Sequence, residues 1–419
     1  MMNHTHLLEA FPKNKDPIYR GYFFILGFQS NKEHFIVGIK KQNEIIEIGS
    51  FANGLYQNEK EILKKAIVDN QKNIENETIF VDPGICIELD FKGIVNHRLI
   101  DPSFTSFQLQ HSWEECTWDH LILDNMPLHN ELAMTSLDKT IWSQPYLSKE
   151  GYLSYLAQIS PYMIPFLENK LLTTIRYPHG VPGESFFQKN SPDYAPSFIK
   201  TKEQEGNNYI ICNDVSTLLW LGNQLAIEFH IPFQTFESTY PTEIVFDLDP
   251  PDKEAFPLAI KAAMEMRPIF ESFQIKSYPK VSGSKGIQIH IPIKQHSLTY
   301  DDTRIFTSFI ANYLIEKFPD DFTIERFKKN RGARLYIDYV QHAKGKTIIC
   351  PYSARGREGA TVATPLYWDE ITDDLKIETF TIPFVLNRLA STICPMNDYF
   401  KQENLPLLEV ISKLKEHKK

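Results

Sequence analysis

The stretch Glu243-Ile244-Val245-Phe246-Asp247-Leu248-Asp249-Pro250 places two carboxylates two residues apart at the end of an apolar run. A β-branched and aromatic run closed by proline predicts a buried strand. Alternation along a strand then puts Asp247 and Asp249 on one face. Two carboxylates so close repel in a dry site unless a cation lies between them. Paired oxygen donors suit hard divalent ions, and such a pair begins a two-metal phosphoryl-transfer site. The same pattern fits, about equally well, a strand end whose acids are solvated or cap the next helix. Asp338 ends a second apolar strand, Arg334-Leu335-Tyr336-Ile337-Asp338. If the two strands are adjacent, three carboxylates meet, which is enough for nucleotidyl transfer. Taken singly, Asp338 is an ordinary capped strand end.

Ser282-Gly283-Ser284-Lys285-Gly286 reads as a glycine-rich turn between two strands. Glycines let backbone amides approach an anion, and Ser282 and Lys285 add donors for phosphate. It is not a P-loop, because the residue order and the following strand are wrong. These five residues alone are equally an ordinary hairpin turn. Arg176, Lys189, Arg331 and Arg355 are spread along the same half of the chain. Arginine is the preferred bidentate clamp for phosphate, although any one of them alone is a solvated surface charge.

The elements that must hold these groups follow from patterning. At 419 residues, 42% hydrophobic and 13% aromatic, the chain can build two or more cores. The net charge of -9 excludes a globally basic coat for nucleic acid and leaves only a local basic groove. Five scattered cysteines without C-x-x-C spacing argue against a disulfide framework or a structural zinc site. No apolar run approaches the roughly 20 residues of a membrane span. The N-terminal Met1-Met2-Asn3-His4-Thr5-His6 has no signal-peptide core. The expectation is a soluble cytoplasmic protein with no membrane partner.

Strands are predicted over Tyr22–Phe28, His34–Ile39, Ile45–Gly49 and Cys86–Phe91, with one helix over Glu59–Ile67. That combination suits a small barrel such as an OB-fold over residues 1–122. A polar linker is expected over 123–134. Beyond it, residues 135–419 alternate helices and strands: helices over Lys149–Leu167, Thr217–Phe229, Arg304–Phe318 and Leu405–Lys418, and a strand over Ile287–Ile291. The fold class is therefore α+β, an N-terminal OB-like β-barrel followed by a mixed α/β domain with central antiparallel or mixed sheets.

At this point the motifs carry a resemblance. Asp247-Leu248-Asp249-Pro250, Ser282-Gly283-Ser284-Lys285-Gly286 and Ile337-Asp338-Tyr339 resemble, in order, the three motifs of the polymerase domain of bacterial ligase D, in the archaeo-eukaryotic primase superfamily. Flanking segments agree, among them Arg176-Tyr177-Pro178-His179-Gly180, Phe186-Phe187-Gln188-Lys189, Thr217-Leu218-Leu219-Trp220-Leu221 and Pro351-Tyr352-Ser353 before Arg355. The resemblance implies that Asp247, Asp249 and Asp338 hold two divalent ions, manganese or magnesium. It implies that Ser282, Lys285, Arg331 and Arg355 bind the triphosphate of an incoming ribo- or deoxyribonucleotide. Phe187 and His230 would lie against its base or sugar, and Gln341 beside the metals. Lys139 and Lys149 match two lysines that read the 5′-phosphate of a recessed DNA end.

Four positions depart from the pattern: Gln288 stands where a histidine is usual, Ile175 for a lysine of some relatives, His342 and Ser136 for asparagines. His290 lies on the same strand face as Gln288, one step deeper, and reads as a core histidine. Residues 27–118 are similar to the OB domain of the ATP-dependent ligase half of such proteins, through Gly27-Phe28, Val37-Gly38-Ile39, Ile48-Gly49, Arg98–Phe104 and Glu114–Trp118. This region is equally a packed relic or a module that binds DNA or a partner. No K-x-D-G adenylation motif is present, so nick sealing is not expected of these residues. The implied activity is metal-dependent addition of nucleotides to a primer 3′ end. The implied setting is gap filling and end extension in bacterial non-homologous end joining, near the nucleoid, beside a Ku-type end-binding protein and a separate DNA ligase. The alternatives are a non-catalytic DNA-end or ligase-binding scaffold, and a primase that starts chains de novo.

Overall fold

The computed structural model describes residues 18–95 and 97–417; the reading of the extreme N-terminus lies outside them. Two compact units emerge. One comprises residues up to Leu128 together with Glu150–Gln158, the other His129–Lys149 and the chain from Ile159 onward.

The first unit is a curled antiparallel sheet. Its strands are β1 (Tyr19–Gln29), β2 (His34–Lys41), β3 (Glu44–Phe51), β4 (Asn73–Glu75), β5 (Thr78–Phe80), β6 (Cys86–Phe91), the small pair β7 (Gly93–Val95) and β8 (Arg98–Ile100), and β9 (Ser103–Phe107). Helix α1 (Gln57–Asp69) joins β3 to β4, and α2 (Trp118–Asp124) follows β9. The order β3-β2-β1-β5-β4 branches at β1, which also pairs with β6, and β6 pairs with β9. Between Ile25 and Gly27 the register of β1 slips against β2, and such a bulge bends a strand. Gly27 is required there, because a Cβ would sit 2.4 Å from the Ile79 carbonyl oxygen. The far edges then approach each other: Phe104 N donates to Asn53 O at 2.9 Å, and the Phe51 and Phe104 rings stack at 6.2 Å. Phe23, Phe35, Phe51 and Phe91 are buried, and Phe24 is buried in a separate cluster with Cys86 and Cys116. Leu121, Ile122 and Leu123 are buried on α2, so the expected linker begins inside a packed helix; the two units divide after Leu128.

The second unit begins with the hairpin β10 (Thr140–Ser143) and β11 (Tyr146–Ser148); the helix that follows, α3 (Lys149–Leu167), continues through Pro161 and Pro165 and has its Glu150–Gln158 stretch in the first unit. Next come β12 (Thr173–Arg176), β13 (Phe186–Gln188), the hairpin β14 (Thr201–Gln204) and β15 (Asn207–Ile210), α4 (Val215–Asn223) and β16 (Ala226–Pro232). Then follow β17 (Glu243–Asp249), α5 (Phe256–Ser272), β18 (Tyr278–Val281), β19 (Ile287–Pro292), α6 (Tyr300–Lys317), β20 (Phe322–Thr323), α7 (Lys328–Arg331), β21 (Leu335–Asp338) and β22 (Thr347–Ile349). Two further helices, α8 (Ile382–Ser391) and α9 (Pro406–His417), close the described chain.

Two sheets position the site. The first runs β13-β12-β16-β22, antiparallel throughout. The second runs β18-β19-β17-β21-β20, antiparallel except for the parallel β20–β21 pair. On β17, Phe246 meets Phe270 of α5 and Phe306 of α6 at 5.9 and 6.2 Å, so helices cover that face. Asp247 and Asp249 take the opposite face by alternation. α6 starts four residues before the predicted helix because Thr299 and Asp302 form a capping box, with Asp302 N donating to Thr299 Oγ1 at 3.2 Å.

One prediction is corrected. Thr217–Phe229 is not one helix: α4 stops at Asn223, Leu225 takes φ 61°, and Ala226 onward is strand β16. A continuous apolar run fits either a buried helix or a central strand. Here β12 and β22 both supply partners for the backbone, and the strand wins. All five cysteines are buried free thiols. Among the described residues no helix is long and apolar enough to cross a membrane.

Candidate active site

The second sheet aligns four polar residues in one cross-strand row. Lys280 on β18 pairs with Gln288 on β19, Gln288 with Asp247 on β17, and Asp247 with Asp338 on β21. Asp249 is two residues along β17, opposite Tyr336. The three acids met in the sequence therefore share one face of adjacent strands. Asp247 and Asp249 line a cavity of about 220 Å³ whose walls also include His230, Ser282, Lys285, Gln288, Gln341 and Arg355. Asp338, Arg331 and Phe187 are not part of this lining.

The acids are differently supported. Desolvation, with Asp249 and Asp338 close by, pushes Asp247 up to about 7, against a Gln288 Nε2 hydrogen bond to its Oδ1 at 3.1 Å. Desolvation also raises Asp338, whose Oδ1 accepts from Tyr336 Oη at 3.1 Å and from Gln341 N at 2.9 Å. Asp249 is neutralised by cations, Lys285 Nζ at 2.9 Å and Arg331 at 3.4 Å. Among the described residues, no three His, Cys, Asp or Glu side chains have converged into a metal-binding group. Lys285 and Arg331 engage the Asp249 carboxylate. The donor set itself, three carboxylates on neighbouring strands with burial penalising two of them, suits a hard divalent ion.

The turn Ser282–Gly286 joins β18 to β19, with Gly283 at φ 68°. Ser282 Oγ accepts from Ser284 N at 3.2 Å and Gly286 N at 3.1 Å. Gly286 packs with no room for a side chain, since a Cβ would lie 2.3 Å from the Leu248 carbonyl oxygen. Lys285 Nζ also donates to Pro250 O at 2.6 Å. Arg331 Nε donates to Glu325 O at 2.8 Å and Nη2 to Arg326 O at 2.9 Å, while Nη1 lies 3.4 Å from Asp249 Oδ2. Gln341 Nε2 is tied to Thr347 O at 2.7 Å.

On the other wall, His230 of β16 and Arg355 converge on Glu228, which is almost fully buried. Glu228 Oε2 lies 3.0 Å from His230 Nε2 and 3.4 Å from Arg355 Nη1, and Oε1 accepts from Gly356 N at 3.0 Å. Arg355 Nε is buried with no hydrogen-bond partner. Phe187 stands on β13, 73% exposed, beside Phe186, over which the Arg176 guanidinium sits at 5.4 Å.

Lys139 and Lys149 lie near one another at the β10–β11 hairpin. Burial, and then the Lys139 charge, lower Lys149. Lys149 Nζ donates to Thr135 O at 2.7 Å, and Lys139 Nζ to Pro178 O. Each ammonium has three donors, so neither is exhausted. His290 and His342 are fully buried; His290 Nδ1 meets Glu243 at 2.7 Å and His342 Nε2 meets Thr303 at 3.0 Å.

Two residues escaped the sequence reading. Lys280 is wholly buried, and burial pushes it down to about 7; its Nζ donates to Gln288 Oε1 at 2.5 Å and Ile349 O at 3.1 Å. A lysine at the polar position of a strand reads as solvated, and only pairing with Gln288 shows otherwise. Glu228 was hidden inside the segment read as helix.

A family model described as LigD, primase-polymerase domain, matches residues 148–396. The chain is 43% identical over 397 residues to the bifunctional non-homologous end joining protein LigD of Bacillus subtilis, over 94% of this chain and 65% of the relative. It is 30% identical over 271 residues to the multifunctional non-homologous end joining protein LigD of Mycolicibacterium smegmatis, over 63% of this chain and 35% of that one. The chain thus spans less than two thirds of these relatives. The polymerase domain from Mycobacterium tuberculosis ligase D, solved in complex with DNA, superposes with a TM-score of 0.61 at 25% identity, over 66% of this chain and 100% of that one. With the family model covering more than half of its length and the fold shared, this chain belongs to the LigD primase-polymerase family.

Proposed function

We propose that this chain is a metal-dependent nucleotidyltransferase that adds nucleotides to a DNA 3′ end, filling gaps and extending ends in bacterial non-homologous end joining. The observation that carries the reading is the row Gln288–Asp247–Asp338, of which Gln288 and Asp247, with Asp249, line a cavity that also gathers Ser282, Lys285 and Arg355. The relatives' names and the DNA-bound domain support it. Asp247, Asp249 and Asp338 hold two divalent ions, manganese or magnesium. Bound there, such ions supply Lewis-acid activation of a hydroxyl and stabilisation of developing phosphoryl charge.

The chain's own residues do the rest. The Ser282–Gly286 turn and Arg355 hold the triphosphate, and Lys285 exchanges Asp249 for phosphate as it arrives. Arg331 keeps Asp249 in place. His230, fixed by Glu228, and Phe187 contact sugar and base. Gln288 and Gln341 orient the acids. Lys139 and Lys149 receive the 5′-phosphate of a recessed end. The curled N-terminal sheet is assigned as an OB-like module for DNA or a partner. Sealing falls to a ligase activity outside these residues, and a Ku-type protein brings the ends.

The test is primer extension on a gapped duplex with a 5′-phosphate, using labelled ribonucleotides and manganese. Extension by the native chain and its loss, by a factor of about 10³ or more, in Asp247→Ala is expected. Extension that survives Asp247→Ala sinks the reading. A DNA mobility shift without extension favours the scaffold, and products from a template without a primer favour de novo priming.

A further inference from the structure

A second cavity, about 340 Å³, is lined by β12, β15, the end of β16 and the loop before β22. It shares Thr347 with the catalytic cavity, so the two adjoin. Lys189, Lys344 and Lys346 line it. All three are exposed, and among the described residues none has a carboxylate partner. Three ammonium groups left unpaired around one concavity make a site for a polyanion. The lining also offers Tyr209 as a ring and Gln234, whose side-chain oxygen is buried without a hydrogen-bond partner. A simple phosphate would need neither, whereas a nucleobase uses both a stacking face and an acceptor. Glu205 is the acid of the lining and sets its edge. Finally, Lys189 directly follows β13, the strand that carries the exposed Phe187.

We propose that this cavity is a track for an unpaired strand of the nucleic-acid substrate, which leaves the catalytic cavity at Thr347 and lays its phosphodiester backbone along Lys346, Lys344 and Lys189. The proposal rests on the nucleic-acid reading above, though not on the chemical step. The physics is counterion release: each phosphate neutralised on a single strand adds about 0.7 to the slope of log affinity against log salt.

The experiment is equilibrium binding of labelled oligothymidylate to the full chain across a salt series. In the variant Lys189→Ala/Lys344→Ala/Lys346→Ala the slope becomes shallower by about 2, and low-salt affinity falls about tenfold or more. Glu205→Lys, an exposed reversal in the same lining, tightens binding and steepens the slope. Unchanged affinity and slope in the triple variant overturn the track. So does a rise in mononucleotide KM with oligothymidylate binding intact, because the lysines would then serve the nucleotide. Asp247→Ala is measured alongside: it keeps the slope while extension is lost. Native chain that binds with the full slope but never extends a primer refutes the polymerase reading and leaves the track standing.

Discussion

Lys280 and Gln288 face each other across β18 and β19, and the buried ammonium donates to the glutamine oxygen at 2.5 Å. The amide is thereby oriented, with its NH2 turned to Asp247 at 3.1 Å. Glutamine at position 288 is a relay: a cation one strand away in the same row fixes which end of a neutral side chain meets the acid. An uncoupled glutamine could present either end; this one cannot without stranding Lys280.

Lys280 and Gln288 should therefore be energetically coupled. Lys280→Met leaves the amide oxygen unpaired and costs about 1–3 kcal/mol of stability. Gln288→Leu costs more, because it takes a side-chain acceptor from a buried ammonium and leaves it Ile349 O. The double variant recovers part of the loss, since neither half of the Lys280–Gln288 bond is then left facing an empty partner. Urea unfolding of the four proteins measures a coupling of about 1 kcal/mol or more. Simple additivity would refute the relay.

Glu228 compensates Arg355 and holds His230, and these two roles predict opposite kinetic effects. Glu228→Gln still accepts from Gly356 N but leaves a buried guanidinium without a counter-charge. The melting temperature without nucleotide falls, and the rise caused by adding nucleotide grows, because triphosphate replaces the missing carboxylate. Nucleotide KM falls several-fold while kcat drops about tenfold, since the two side chains are no longer held. Thermal shift with and without nucleotide, beside steady-state kinetics, separates this from general damage, which would raise KM.

Acid sensitivity resides at the other end of β17. Burial alone would raise Glu243, but His290 at 2.7 Å, Lys170 at 3.6 Å and Tyr399 at 2.6 Å hold it down to about 2. A carboxylate depressed on folding adds stability that is complete above its ordinary value near 4.5 and is lost as pH falls toward 2. At 1.36 kcal/mol per unit this is on the order of 3 kcal/mol. Urea midpoints fall across that window, and Glu243→Gln, less stable at neutral pH, loses much of the slope. A native-like slope in the variant would mean that other groups carry it.

Much of the site was legible in the chain. Asp247 and Asp249 on one face follow from a two-residue period, and the Ser282–Gly286 turn from its glycines. Strand Cys86–Phe91 and the central helices follow from apolar periodicity and caps. Those are local properties, set within a few residues by sterics and burial. Ala226–Phe229 was not legible, because an apolar run is compatible with helix or strand until neighbours offer backbone partners. Nor were the roles of Lys280 and Glu228, whose charges make sense only against Gln288, Arg355 and His230. Residue type and period determined which carboxylates this protein presents. Strand register alone decided that Lys280, Gln288, Asp247 and Asp338 stand in one row, because cross-strand pairing joins residues up to tens of positions apart that no local pattern connects.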